Sequence, residues 1–254
     1  GESAMTRACN PLIPWLVSAL LGLIGNTCAA GVMADHTRLI FNEGQAQESL
    51  MLANTNAYPV VIQTWVDKGQ GDNLPQNIVS AFIAMPAVFR LQPSALQSLQ
   101  VILTDRNLPV DRESVFWLNL YEIPPTQDAS APDTTRVTLA MNTQLKIFYR
   151  PKNLPIAPEQ LTNALHFRLE QTADGVLLIC RNDSPYHTSF ASVRLIQGDK
   201  IVAGISDTDL LSSPYSERRY HLDQNLLKSH DQLQVRYELI DDTGRAKPGQ
   251  APLR

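Results

Sequence analysis

The sequence predicts an all-β protein of two immunoglobulin-like β-sandwich domains that meet at an angle, in a boomerang, with a cleft between them. Three observations predict it. From Asp35 to Arg150, short segments with period-two alternation of apolar and polar residues follow one another, with no stretch of helical period. The pattern halts at "RPKNLPIAPEQ", where Pro151, Pro155 and Pro158 make a stiff connector, and then restarts. Val, Leu, Thr and Ile dominate the apolar segments and Pro (17) outnumbers Gly (12), a composition that suits strands and turns.

The first thirty residues read as a secretory leader. Arg7 supplies the positive start, "PLIPWLVSALLGLIG" the apolar stretch, and Cys28 and Ala30 the small residues of a cut before Gly31. The apolar stretch is shorter than the roughly 20 residues that span a bilayer. "GESA" ahead of Met5 reads as an upstream remnant. The expected organisation is therefore a leader over residues 1–30, a first domain over 31–151 and a smaller second domain over 152–254.

Seven strands are expected in the first domain: "TRLIFNE", "SLMLANTN", "PVVIQTWVDKG", "AFIAMPAVFRLQP", "LQVILTD", "SVFWLNLYEIPP" and "RVTLAMNTQLKIFYRP". Turn-rich stretches such as "NTNAYP", "KGQGDNLPQ" and "APDTT" separate them. Seven short strands in about 115 residues suit a sandwich, here without the Cys–Trp–Cys signature of antibody domains. The last strand is unusually long. Val137, Leu139, Met141, Leu145, Ile147 and Tyr149 share one face, interrupted only by Thr143, while Lys146 stands on the other between two apolar neighbours. The second domain is expected to use "ALHFRLEQ", "GVLLICRN", "SFASVRLIQ", "KIVAGIS", "YHLDQ" and "QLQVRYELID".

Charge and motifs exclude several functions. A net charge of −4, with a pI near 5.7 and no long Lys/Arg run, argues against nucleic-acid binding. No G-x-S-x-G elbow, phosphate loop, H-E-x-x-H or paired C-x-x-C is present, and the five histidines are scattered. Beyond Gly31 the only cysteine is Cys180, read as a small hydrophobe in a strand rather than a nucleophile. The expected function is binding, without enzymatic activity, metal or other cofactor.

"LPVDRESVFWLNLYEIPP" (Leu108 to Pro125) and "LKIFYRP" (Leu145 to Pro151) resemble the periplasmic pilus-assembly chaperones, the PapD-like family. Thr37-Arg38, "FRLQP", "NDSPYHTS" and "LLSSPYSE" resemble further family segments in the same order. The resemblance implies a periplasmic chaperone of the chaperone–usher pathway. Such a protein caps a pilin subunit by lending it a strand, an example of β-strand addition, and delivers it to an outer-membrane usher. By the same resemblance Val137, Leu139 and Met141 are the donated side chains. Arg38 and Lys146 are the anchor for the subunit's terminal carboxylate. Arg90, Glu113 and one of Asp241 or Asp242 are an interdomain salt-bridge network. A free chaperone that caps its own edge as a homodimer is a further expectation. The polar connection "TQDASAPDTTR" resembles the short-loop subclass, and the disulfides of some members have no counterpart here. The competing reading is a secreted two-domain immunoglobulin-like adhesive or structural surface protein.

Overall fold

The computed structural model describes residues 31–69, 80–125, 140–224 and 232–254. The leader, the connection over 126–139 and the donor positions Val137 and Leu139 lie outside the described residues. In the first half the strands are β1 (Val32–Ala34), β2 (Arg38–Asn42), β3 (Gln47–Asn54), β4 (Val60–Asp67), β5 (Phe82–Met85), β6 (Val88–Leu91), β7 (Leu96–Leu103), β8 (Ser114–Ile123) and β9 (Met141–Arg150). They form two sheets, in the orders β1-β3-β7-β5 and β2-β9-β8-β4-β6.

Alternation explains the packing. Leu50 and Leu52 of β3, Leu99 and Val101 of β7, and Phe116, Leu118 and Leu120 of β8 all turn inward and are buried. Phe82 is central to that core, meeting Phe41 edge-on at 4.7 Å and Phe116 at 5.1 Å. Burying each such side chain contributes about 1.5–3 kcal/mol.

The second half contains β10 (Leu165–Thr172), β11 (Gly175–Asn182), β12 (Thr188–Gln197), β13 (Lys200–Gly204), β14 (Leu211–Ser212), β15 (Ser216–His221), β16 (Leu233–Ile240) and β17 (Ala246–Pro252). One sheet runs β10-β11-β15; the other runs β13-β12-β16-β17, with β14 paired to β12. Phe167, Phe190 and Tyr237 pack ring against ring in its core at 5.6–6.2 Å. Cys180 lies on β11, free and fully buried, and burial pushes its thiol up to about 12.

Several elements differ from expectation. "AFIAMPAVFRLQP" is two strands, β5 and β6, which pair in different sheets on either side of Pro86. The strand expected at "YHLDQ" ends there, at His221, rather than beginning there. Within the connector, Pro158–Ala164 forms a 3-10 helix. β17 escaped the alternation test because it contains Pro248 and Gly249. Proline is tolerated at a sheet edge, and the bare Cα of Gly249 leaves room for the Tyr237 ring, which would lie 2.5 Å from a Cβ.

The two halves share one device. Buried Asn54 donates from Nδ2 to the Tyr58 carbonyl (2.9 Å) and the Leu91 carbonyl (3.0 Å), and its Oδ1 accepts the Asn56 N–H (2.9 Å). Buried Asn182 donates to the Tyr186 carbonyl (2.7 Å) and the Ser213 carbonyl (3.1 Å), and its Oδ1 accepts the Ser184 N–H (3.0 Å). A Pro-X corner with positive φ follows each distant carbonyl, at Pro93-Ser94 (62°) and Pro214-Tyr215 (50°). Each amide thereby satisfies backbone groups at a strand end and in the turn that follows.

Candidate functional site

The site grows from one register. β2 lies parallel to β9 with Arg38 opposite Lys146, Leu39 opposite Ile147 and Ile40 opposite Phe148. On its other side β9 runs antiparallel to β8 from Ser114↔Tyr149 to Glu122↔Met141. β8 therefore backs β9 from Met141 to Tyr149, whereas β2 covers only Lys146–Arg150. Among the described residues, Met141–Leu145 has no strand partner on the β2 side.

The apolar row of β9 changes character along its length. Leu145, Ile147 and Tyr149 are buried in the first domain's core, whereas Met141 on the same face is 51% exposed. The row thus runs out of the core into solvent where the edge becomes free. On the opposite face stand Lys146, Phe148 and Arg150, spaced by two.

Arg38 and Lys146 are both half-buried. Burial lowers the pKa of Arg38, while Asp242, Asp241 and Glu113 oppose the shift. Burial also lowers Lys146, the neighbouring Arg38 charge adds to it, and Asp209 opposes it. The Arg38 guanidinium lies over the Phe148 ring at 5.6 Å and donates from Nη1 to Ser189 Oγ across the cleft at 3.3 Å. Its Nε is buried without a hydrogen-bond partner. Among the described residues no carboxylate forms an ion pair with either cation. Two partly desolvated cations with an unused donor make a receptor for an anion.

The interdomain contact lies beside them. Arg150 donates from Nε to Glu113 Oε2 at 2.8 Å, and from Nη1 and Nη2 to Asp242 at 2.7 and 2.9 Å. Glu113 is buried and also accepts the His187 backbone N–H at 2.7 Å. This bidentate geometry raises the Arg150 pKa even though burial alone would lower it. Arg38, Phe148, Arg150, His187, Ser189 and Tyr237 border a cavity of about 410 Å³ in the cleft.

The network expected at Arg90 needs correcting. Its cation is Arg150. Arg90 is exposed on β6, opposite Val61, which in turn faces Ile123 at the far end of β8 from Glu113. The ten residues of β8 hold those two ends about 30 Å apart. The choice between the two aspartates falls to Asp242. Asp241 is occupied by its own turn: Oδ1 accepts from Thr243 Oγ1 (2.7 Å), the Thr243 N–H (2.9 Å) and the Arg245 N–H (3.0 Å). Those bonds hold its carboxyl down at about 2. Gly244 in the same turn has φ +86°, and a Cβ there would collide with Thr37 Oγ1, immediately before Arg38.

Arg150, Phe148 and Ser189 were missed in the sequence. For the first two a signal existed, since residues 146, 148 and 150 share a face by the same alternation that placed Lys146. For Ser189 the only signal was its place at the end of "NDSPYHTS", because only the folding of the second domain brings it to Arg38. Among the described residues no cluster of His, Cys, Asp or Glu could hold a metal ion, and no helix is long and apolar enough to cross a membrane.

Comparison with known proteins gives matches along the whole described chain. Residues 31–155 match the family "Pili and flagellar-assembly chaperone, PapD N-terminal domain", and residues 157–251 match "Pili assembly chaperone PapD, C-terminal domain". The chain is 30% identical over 244 residues to the chaperone protein FimB/FhaD of Bordetella pertussis, covering 94% of each. It is 31% identical to the probable fimbrial chaperone YadV of Escherichia coli, covering 88% of this chain and 90% of that protein. Among solved structures, the YadV chaperone superposes with a TM-score of 0.72 at 29% identity, covering 87% and 99% of the two chains. The SafB chaperone, solved in complex with the SafA pilin of Salmonella enterica, gives a TM-score of 0.69 at 25% identity, covering 88% and 97%.

Proposed function

Because the chain belongs to the PapD family of pilus-assembly chaperones, we propose that it acts in the periplasm, binding pilin subunits by lending them the free edge of β9 and passing them to an outer-membrane usher. The observation that carries this reading is the Arg38–Lys146 pair at one end of the uncovered Met141–Leu145 edge. A guest strand added there gains main-chain hydrogen bonds from β9 and packs against its exposed apolar row. Val137, Leu139 and Met141 are the side chains proposed to fill the guest's groove.

The cations choose the guest's direction. A strand parallel to β9 brings its C-terminus to Arg38 and Lys146, where a carboxylate completes the unused donor. An antiparallel guest would bring an ammonium to the same place and be repelled. Fixing that end fixes the register, and a slip of one residue would turn every guest side chain to the wrong face.

Co-expression of the chaperone with a candidate pilin in the periplasm tests the proposal. The expected result is a one-to-one complex that protects the pilin from proteolysis, disrupted by Arg38→Ala or Lys146→Ala. A complex captured equally well by the double variant would overturn it.

A further inference from the structure

A buried anion of the first domain also lacks a counter-charge among the described residues. Glu122, on β8, is only 7% exposed. Its Oε1 accepts from Asn56 Nδ2 at 2.9 Å and its Oε2 from the Val32 N–H at 3.3 Å. Both donors are neutral, and among the described residues no cationic side chain forms an ion pair with it. A buried carboxylate held only by neutral donors remains costly. The residue at its open side is Gly31: a Cβ built there would stand 3.8 Å from Oε2 and meet no other atom within 4 Å.

Gly31 is itself fixed. Its N–H donates to Thr55 Oγ1 at 2.9 Å, and its carbonyl accepts from Thr55 Oγ1 at 2.6 Å and from the Thr55 N–H at 2.9 Å. Thr55 precedes Asn56, whose side chain holds Glu122, and the built Cβ places Gly31 itself beside the carboxylate. The bond on its other side, Ala30–Gly31, follows the apolar stretch and small residues of the expected leader.

We propose that Glu122 is the built-in counter-ion for an α-ammonium created at Gly31 when the Ala30–Gly31 peptide bond is hydrolysed. A peptidase adds one water across that bond. The Ala30 acyl carbon takes the hydroxyl and leaves as a carboxylate, and the Gly31 nitrogen takes a proton and at neutral pH becomes an ammonium. The uncut chain presents an uncharged amide to Glu122. The cut chain presents a cation with three donors, enough to keep the Thr55 bond and reach Oε2. Removal of the leader would thereby add a charged contact to the Val32–Glu122 hydrogen bond that already joins β1 to β8, two strands of opposite sheets, and stabilise the finished protein beyond its precursor.

The test uses the full chain expressed with its leader in a cell that exports it. Mass spectrometry of the exported product should show Gly31 as its first residue. Selective acetylation of that α-amine should lower the melting temperature by about 2–4 °C, and the same acetylation of Glu122→Gln should change nothing. An α-amine titrating above its ordinary range of about 7.7–8.0 in the unmodified product is the companion measurement, needed if Glu122→Gln does not fold. A different first residue, an equal acetylation effect in both proteins, or an α-amine titrating in its ordinary range would each overturn the proposal.

Discussion

Arg38 and Lys146 are directly opposed positions of two parallel strands, so two half-buried cations stand side by side, and among the described residues no carboxylate forms an ion pair with either. The arrangement costs the free protein some stability and is useful once an anion arrives. Removing one charge should therefore separate folding from capture. Lys146→Met, which keeps the buried stem, is expected to leave fold stability unchanged or to raise it by up to about 1 kcal/mol after solvent screening. Its binding of a pilin C-terminal peptide should fall about 10–100-fold, the worth of a charge-assisted hydrogen bond. Urea unfolding and peptide titration on the same sample check both halves.

Capture should also depend on pH in the alkaline range. The Lys146 pKa lies below its ordinary 10.5, by burial first and the Arg38 charge second. The unfolded chain holds that proton more tightly, so the stability of the free fold rises as pH climbs from the lowered value towards 10.5. Binding runs the opposite way. A guest carboxylate needs the ammonium, so affinity holds at neutral pH and declines by up to about tenfold per pH unit above the lowered value. Calorimetric titrations from pH 7 to 10.5 measure the slope. An amide-capped peptide should show no such dependence.

Arg150 should matter far more than Arg90. Arg150→Met leaves Glu113, which is buried, without its cation, and breaking a buried pair in this way costs about 3 kcal/mol. Asp242→Asn removes a half-exposed partner and should cost about 1 kcal/mol or less. Arg90→Ala, on the exposed edge strand, should stay within about 0.5 kcal/mol. Chemical unfolding ranks the three, and small-angle scattering should show a broadened interdomain angle for Arg150→Met alone.

Gly244→Ala tests whether the second domain positions the anchor. The backbone there is left-handed, which costs an alanine about 1–2 kcal/mol, and the new methyl meets Thr37 beside Arg38. Capture should therefore weaken further than the same stability loss placed at Gly198, which has φ +62° and open space around it. Equal capture by the two alanine variants at matched stability would remove the Thr37 contact from the account.

Much of this was legible in the sequence, for identifiable reasons. Period-two alternation places a side chain on a face without knowledge of its neighbours, so the strands around Leu50, Leu118 and Ile147 and the outward position of Lys146 could be read directly. Partnership across a fold is a different kind of information. Arg90 and Arg150 both flank apolar strand residues, and only the strand order shows that one ends up at the far end of β8 from Glu113 while the other faces it. Asp241 and Asp242 are adjacent in sequence, and the turn closed by Thr243 and Arg245 separates their roles. Ser189 becomes part of the site only because folding of the second domain brings its hydroxyl to Arg38 Nη1. β17 was hidden because its prolines mimic a loop, although an edge strand can carry them.

The twin asparagine brackets bear on the independence of the two halves. Asn54 and Asn182 solve the same corner with the same amide, at the same four-residue spacing to a tyrosine carbonyl, in two halves whose sequences show no overt repeat. Replacing either amide would strand two carbonyls. Each half therefore closes its own corner, and neither depends on the other to satisfy the carbonyls there.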